Sequence, residues 1–562
     1  MKSVETQVLI VGGGPTGLTA AVLLSQLGIA YQIIERRPGP QRAPAAHVVN
    51  ARSFEIWRQA GVDMRALLAA AKDPSDAGTV YWVTRLGGEV LGQLPFERQD
   101  AAMLALTPTP LRNLSQHRLE PLLHECVQRN GATLHYRRQW EAAEQSVDGV
   151  TSRVRDLDSG EAIQISSRYL IAADGAGSPV RKALGIQPIG PDRLQTFVMI
   201  HFAADLRGMV RDCPGVIYWV ADPSCMGTFV AHDIDSEWVF MHPWDGDHEA
   251  IDRHASGHWE AVVRRAMARD DVQLSIRTVS PWVMTSQTAE RYREGRVFLA
   301  GDAAHRFPPT GGLGLNTGVQ DVHNLAWKIA AVEHGWAESG LLDTYDQERR
   351  PIACYNAEQS LRNAFRLLEV PQAIGISEHP EVSQQRFQHL LTDAAQRAAL
   401  RAAIDNQAEH FDMLGLQLGY AYEDGALLPD GTPPPSPENP VREFVPSSRP
   451  GSRVPHGWVE TANTRVSTLD LIRLDRLTLF VGPSGTAWSD AAGRLGPHLR
   501  TLQIGRDLAD PADWWTSSAA MHADGALLVR PDQHVAFRAQ CSVVDPHAAL
   551  DRALRAITGR ST

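Results

Sequence analysis

The stretch from Thr6 to Glu35 constrains this chain more than any other. Val8-Leu9-Ile10-Val11 is a short unbroken apolar run, the pattern of a parallel strand buried on both faces. The turn Gly12-Gly13-Gly14-Pro15-Thr16-Gly17 follows it. From Pro15 onward, Leu18, Ala21 and Val22 recur at helical spacing, as do Ala20, Leu23, Leu24 and Leu27. Tyr31 to Glu35 then form a second strand. Strand, turn, helix, strand is the start of a βαβ unit, so an α/β fold with a Rossmann-like sheet is expected.

The turn satisfies G-x-G-x-x-G, and each glycine has a separate reason. Gly12 permits the tight turn off the strand, Gly14 admits a pyrophosphate where a Cβ would block it, and Gly17 lets the helix pack close to the sheet. Pro15 and Thr16 open a helix whose unpaired N–H groups and positive dipole end favour phosphate. Glu35 lies 18 residues beyond Gly17, at the end of the second strand, where a carboxylate accepts ribose hydroxyls. This motif alone does not separate FAD from NAD.

Two later segments repeat the logic. One apolar strand ends at Asp174-Gly175, and another, Arg296 to Ala300, ends at Gly301-Asp302. Each places a carboxylate at a strand's C-terminal end, where ligands sit in open α/β sheets. Asp302 can accept from a ribityl hydroxyl. Gly311 to Leu315, including Gly312 and Gly314, bring bare backbone against a flat ring. A helix expected over 316–334 would aim its N-terminus, at Asn316, toward a flavin pyrimidine edge and stabilise its charge on reduction.

The three motifs together resemble the class A flavoprotein aromatic hydroxylases, the family with the p-hydroxybenzoate hydroxylase fold. The likeness extends to Ser115-Gln116-His117-Arg118-Leu119-Glu120, where the family sets a glutamine on the ribityl chain, and so to Gln116. Arg449 to His456 and Leu528 to Arg538 resemble the phenol, chlorophenol and 2-hydroxybiphenyl monooxygenase branch, in which a thioredoxin-like domain follows the catalytic part. The resemblance implies non-covalent FAD, NADPH or NADH as co-substrate, O2, and a flavin C4a-hydroperoxide that hydroxylates a phenolic ring. It implies a homodimer and adds Arg36 and Arg42 to the FAD-binding residues. It puts the backbone of Pro308 and Pro309 near the reacting flavin edge.

The stretch Pro44 to Arg52 is similar to one in which the branch places a histidine near the phenol. His47 is therefore the candidate to accept the phenol proton, for which a near-neutral pKa is expected; it could instead hydrogen-bond FAD or backbone. Two departures stand out. Ala45 replaces an arginine of that pattern, with Arg42 close by. Asn113 stands where similar proteins carry an acid. Asn113, Tyr218 and Trp219 are the candidate substrate contacts.

The expected organisation is a discontinuous FAD-binding domain over 1–75, 111–185 and 290–350. An antiparallel substrate-binding sheet takes 76–110 and 186–289. A helical segment (351–428), a Pro-rich linker (429–440) and a thioredoxin-like domain without redox cysteines (441–562) follow. The net charge of −11 over 562 residues repels phosphate backbones, so no nucleic-acid partner is expected. Cys126, Cys213, Cys225, Cys354 and Cys541 form no C-x-x-C and no zinc spacing, so no metal site is expected. Met1 to Thr6 lacks the regions of a signal peptide, and no apolar run reaches the ~18 residues that span a membrane. A cytoplasmic location is expected. Two rival readings remain open: a flavin tailoring oxygenase acting on a polycyclic natural product, by hydroxylation, decarboxylative oxidation or Baeyer–Villiger insertion, and a flavin-binding scaffold without turnover.

Overall fold

The computed structural model describes residues 2–246, 251, 257–462 and 464–559. Residue 1, residues 247–250 and 252–256 of the expected substrate sheet, and residues 463 and 560–562 of the expected C-terminal domain lie outside the described residues.

Strand β1 (Lys2–Val11) runs parallel to β2 (Tyr31–Ile34) on one side and to β3 (Ala162–Ala172) on the other. Strand β4 (Val297–Leu299) pairs in parallel with the far side of β3. Val11 stands opposite both Ile34 and Ala172, and Ala172 stands opposite Leu299. All four strands therefore stop at one level, which puts Gly12, Glu35, Asp174 and Asp302 along a single sheet edge. Helix α1 (Pro15–Gln26) leaves that edge directly. Gly12 takes φ +111°, and a Cβ there would lie 2.0 Å from the Ala173 carbonyl oxygen. At Gly17 a Cβ would lie 2.0 Å from the Gly12 oxygen, so both positions require glycine.

The second sheet has seven strands, in the order Ser275–Met284, Gln195–Ala203, Glu237–Pro243, Gly227–Asp233, Ile217–Val220, Thr79–Val83 and Val90–Pro95. It is not purely antiparallel as expected: Ile217–Val220 and Thr79–Val83 pair in parallel. Between them the chain passes through the first, Rossmann-like sheet and re-enters in the same direction, which no hairpin can do. One face closes over Tyr218, Phe229, Trp238 and Phe240. On the other, Trp82, Phe96 and Trp219 pack with the helices Glu369–Ile374, Pro380–Leu390 and Ala394–Asp405.

Four further helices frame the site: α2 (Ala51–Gln59), α3 (Gln116–Arg129), α4 (Leu313–Glu333) and α5 (Thr344–Arg366). Helix α4 starts at Leu313, three residues earlier than expected, because Gly312 in the left-handed region (φ +62°) caps it.

A C-terminal sheet follows, in the order Leu499–Gln503, Leu477–Val481, Ala526–Val529, Val535–Ala539. It shares one apolar core with Trp327 and Ala331 of α4. Buried ion pairs tie it down further. Glu348 of α5 accepts from Lys328 (2.7 Å) and Arg530 (2.7 Å), and Arg530 also pairs with Asp532. Glu55 of α2 pairs with Arg52 (3.1 Å) and Arg453 (2.5 Å). These charges have essentially no exposure. Removing one partner of such a set strands the other, at a cost of about 3–5 kcal/mol. Among the described residues no helix is long and apolar enough to cross a membrane.

Candidate active site

The level strand ends build a ligand edge. Glu35 accepts from the Gly13 N–H through Oε2 (2.8 Å) and from the Arg37 N–H through Oε1 (2.8 Å), which fixes its carboxylate beside the glycine turn. A Cβ on Gly14 would meet nothing within 4 Å, so the space in front of α1 is open. The α1 N-terminus has no side-chain cap. Its first N–H groups are therefore free to bind an anion. Arg36 and Arg42 are exposed beside this edge.

Asp174 accepts from the Val180 N–H through Oδ2 (3.1 Å), while its Oδ1 is buried without a partner. Burial raises its carboxyl above the usual range. An orphaned buried acceptor is costly unless a ligand group meets it. Asp302 is open to the cleft, yet the surrounding protein still raises its pKa, against the pull of His305 and Arg306. Pro308 is buried, Pro309 is exposed, and the Pro309 carbonyl accepts from Gly312 (3.1 Å). The N-terminus of α4, with Gly314 and Leu315, carries no side-chain cap either. Thr16 packs against the other end of this edge: a Cβ on Gly301 would come within 2.6 Å of its Oγ1. The open space at Gly14, the bare Asp174 oxygen and two uncapped helix starts fit a dinucleotide carrying a flat ring.

Two expected cofactor contacts have other partners. The Asn316 side chain accepts from Asn50 N (2.9 Å) and Ser53 Oγ (2.7 Å) and donates to Val48 O (2.9 Å) and Gly312 O (2.7 Å). All four of its hydrogen bonds are used. It is a clamp between α4 and α2, and only its backbone N–H remains for a cofactor. Gln116, at the start of α3, donates to Glu120 Oε1 (2.8 Å), which leaves its own carbonyl oxygen available.

His47 lies on the other side of the cleft, half-buried, stacked on Phe96 (6.4 Å between centroids) and edge-on to His232 (5.4 Å). Its Nδ1 meets Asn113 Oδ1 at 2.9 Å, and Asn113 Nδ2 donates to the Ala77 carbonyl (3.3 Å). That carbonyl can only accept, so the Asn113 amide orientation is set and its Oδ1 must accept from His47. The Nδ1 of His47 therefore carries the hydrogen, and Nε2 is a bare acceptor. Burial pulls the His47 pKa down to about 4, with Lys72 acting in the same direction and the Asn113 bond opposing. The expectation of a near-neutral base is thus corrected: desolvation outweighs the one hydrogen bond that favours the charged form.

Tyr218 and Trp219 separate, because successive residues of a strand point to opposite faces. Trp219 stacks on Trp82 (6.3 Å) in the cluster that contains Phe96. Tyr218 stacks on Tyr81 (5.6 Å) in the opposite core and donates to the Cys213 carbonyl (2.9 Å), so it is not a substrate contact. Sequence reading missed Phe96, Phe411 and His232. His232 could have been found from the same alternation, which sets it on the face opposite Phe229 and Ala231.

The comparisons with known proteins agree with this geometry. Residues 5–360 match the family model described as an FAD binding domain, and residues 447–561 match that of the aromatic-ring hydroxylase C-terminal region. The chain is 34% identical to the tetracenomycin B2 monooxygenase-dioxygenase of Streptomyces olivaceus, covering 100% of both chains. It is also 34% identical to the 2,4-dichlorophenol 6-monooxygenase of Cupriavidus pinatubonensis, covering 100% of this chain and 97% of that one. Among solved structures, the flavin-dependent monooxygenase PieE in complex with FAD and substrate superposes with a TM-score of 0.92 at 35% identity, covering 100% of both chains.

Proposed function

This chain belongs to the FAD-binding aromatic-ring hydroxylases and is an FAD-dependent aromatic monooxygenase, and from that premise we propose that it hydroxylates a phenolic ring whose O–H is held by His47. The observation that carries this reading is the Ala77–Asn113–His47 chain, which leaves a bare Nε2 acceptor in the cleft.

FAD, reduced by NAD(P)H, supplies the activated oxygen when bound. Gly12, Gly14, Pro15, Thr16, Gly17, Glu35, Arg36 and Arg42 would hold its adenosine and pyrophosphate portion. Asp174, Asp302 and Gln116 would hold its ribityl portion. Gly312, Gly314, Leu315 and the Asn316 backbone would hold the ring, beside Pro308 and Pro309. His47 accepts the phenol O–H and pushes electron density toward the ring. Full proton transfer from a phenol (pKa about 10) to an imidazole at about 4 costs roughly 8 kcal/mol, at about 1.4 kcal/mol per unit. His47 alone therefore orients and polarises the phenol rather than storing its proton. Phe96, stacked on His47, ties this side of the site to an aromatic cluster with Trp82, Trp219 and Phe411, which would back the substrate ring.

The C-terminal sheet, with one parallel pair and one hairpin, supports a thioredoxin-like reading. Cys541 is the only cysteine after residue 440, so that domain has no internal dithiol and serves packing. A homodimer and a cytoplasmic location belong to the same proposal. Relatives of equal identity carry both a chlorophenol and a tetracenomycin name, which supports, as a second reading, a polycyclic phenol beside a single ring.

The test is NAD(P)H consumption under O2 with a panel of mono- and polycyclic phenols, with product mass as readout. A product 16 mass units heavier is expected. Consumption that no phenol stimulates would remove the reading.

A further inference from the structure

A second imidazole faces the same cleft. His232 lies on Gly227–Asp233, on the sheet face turned toward the start of α3. It is buried, and its ring stands edge-on to His47 with centroids 5.4 Å apart. Its Nδ1 meets Ser115 Oγ at 2.6 Å, and Ser115 makes no capping bond to its own helix. Among the described residues, neither His47 Nε2 nor His232 Nε2 has a protein partner. With ring centroids 5.4 Å apart, the two imidazoles are within reach of one substrate oxygen.

Resting on the reading of a phenolic substrate, we infer that His232 is a further catalytic residue, donating from Nε2 to the phenol oxygen while His47 accepts that oxygen's hydrogen. Ser115 is the positioning residue. When its hydroxyl donates to His232 Nδ1, the ring's hydrogen must sit on Nε2, and the two imidazoles become a complementary donor and acceptor. The phenol proton shifts from its oxygen toward His47 Nε2 only as the ring gives up charge, the His232 hydrogen bond offsets part of the cost that His47 alone does not meet, and no electrons change hands in this contact. The His232 hydrogen bond strengthens as charge develops on that oxygen, so it acts where the reaction needs it. Burial keeps His232 neutral, so its Nε2–H is a dipolar donor and not a cation.

The charges around the pair are mixed. Lys72 reaches the Ala231 carbonyl beside His232. From α3, His117 meets Glu237 (2.9 Å) and Arg118 meets Asp233 (2.9 Å). His201 meets the other oxygen of Glu237 (3.3 Å). Lys72, held down at about 8 by burial, will add its own step to any pH profile. That step belongs to wild type and variants alike, and a His232-specific change is read as the difference between them.

The test uses the FAD-loaded enzyme with 4-nitrophenol, whose phenolate absorbs in the visible, and with the best phenol from the panel. His232→Leu removes the donor, His232→Gln returns an N–H near the Nε2 position, and Ser115→Ala loosens the tautomer while leaving the ring. In His232→Leu the bound nitrophenol should ionise about one to two pH units higher than in wild type. Hydroxylation should slow by about 10²–10³-fold. The defect should shrink as pH rises, His232→Gln should recover part of it, and Ser115→Ala should fall between. FAD should stay bound throughout. If wild type turns over phenols but His232→Leu keeps its nitrophenol titration and pH profile, the inference fails and the parent reading stands. A loss equal at all pH values, unrescued by glutamine, also overturns it as a packing effect. If wild type neither binds nitrophenol nor responds to any phenol, both fall. Should His232→Leu not fold, the Ser115→Ala titration decides alone, and an unchanged value overturns the proposal.

Discussion

Asn113→Asp places the strongest demand on this view of the site. The Asn113 oxygen lies 2.9 Å from His47 Nδ1, and Asn113 is buried behind the half-buried ring. A carboxylate in that place meets an N–H it can hold, and an acid at this range raises a neighbouring basic group by roughly one to three units. His47 should rise from about 4 to between about 5 and 7. At about 1.4 kcal/mol per unit, roughly 1.4–4 kcal/mol comes off the ~8 kcal/mol needed to move a phenol proton onto it. One structural term opposes this. Asn113 Nδ2 donates to the Ala77 carbonyl (3.3 Å), and an ionised aspartate would set two acceptors against each other there. The Ala77 carbonyl keeps its bond from Gln99 Nε2 (2.9 Å), so the aspartate's second oxygen is the unpaired group, and the variant should fold less stably by about 1–3 kcal/mol. The assay has two arms. An NMR titration of the His47 ring should show the raised pKa. The pH profile of hydroxylation should gain activity on its acid side, where the aspartate stays charged and the phenol does not ionise unaided. A folded Asn113→Asp enzyme with an unmoved His47 titration and an unchanged pH profile would refute the argument that Asn113 sets the state of His47.

Three further outcomes follow from the same structure. Gly14→Val would fill the open space before α1 with a branched side chain, and the purified protein should come out colourless; a yellow variant with wild-type FAD affinity would contradict the phosphate role. Glu348→Ala strands Lys328, leaves Arg530 paired with Asp532 alone, and should cost about 3–5 kcal/mol, read as a lower urea midpoint; an unchanged midpoint would show that the C-terminal domain does not depend on this cluster. Acid should destabilise the fold early. Buried His410, His456 and His534 are pulled to about 3, 4 and 3, so the native state refuses protons that the unfolded chain takes up below about 6.5. Their contribution is intact above pH 6.5 and is lost as pH falls, on the order of 2 kcal/mol each at pH 5, so a urea midpoint that stays flat from pH 7 to pH 5 would contradict it.

Local order determined a great deal here. The apolar run Val8–Val11, the glycine turn and Glu35 specify a βαβ edge without help from the rest of the chain, because short-range sterics and strand–helix periodicity decide it. The strand ends at Asp174 and Asp302 and the glycines before α4 were legible for the same reason. What lies across the cleft was not. His47, Asn113 and Ala77 meet through a two-strand pairing of residues 48–49 with 112–113, and His232 comes from another sheet altogether. No spacing encodes those meetings. The choice between Tyr218 and Trp219 turned on which sheet face meets the cleft, and a strand's sequence shows that two faces exist but not which one the fold buries where. The charges at Glu55, Arg453, Glu348 and Arg530 look like surface residues in the sequence; only tertiary packing makes them neighbours, and only burial without water makes each depend on the others. Desolvation, likewise a property of the assembled fold, took His47 from an ordinary histidine to one near 4.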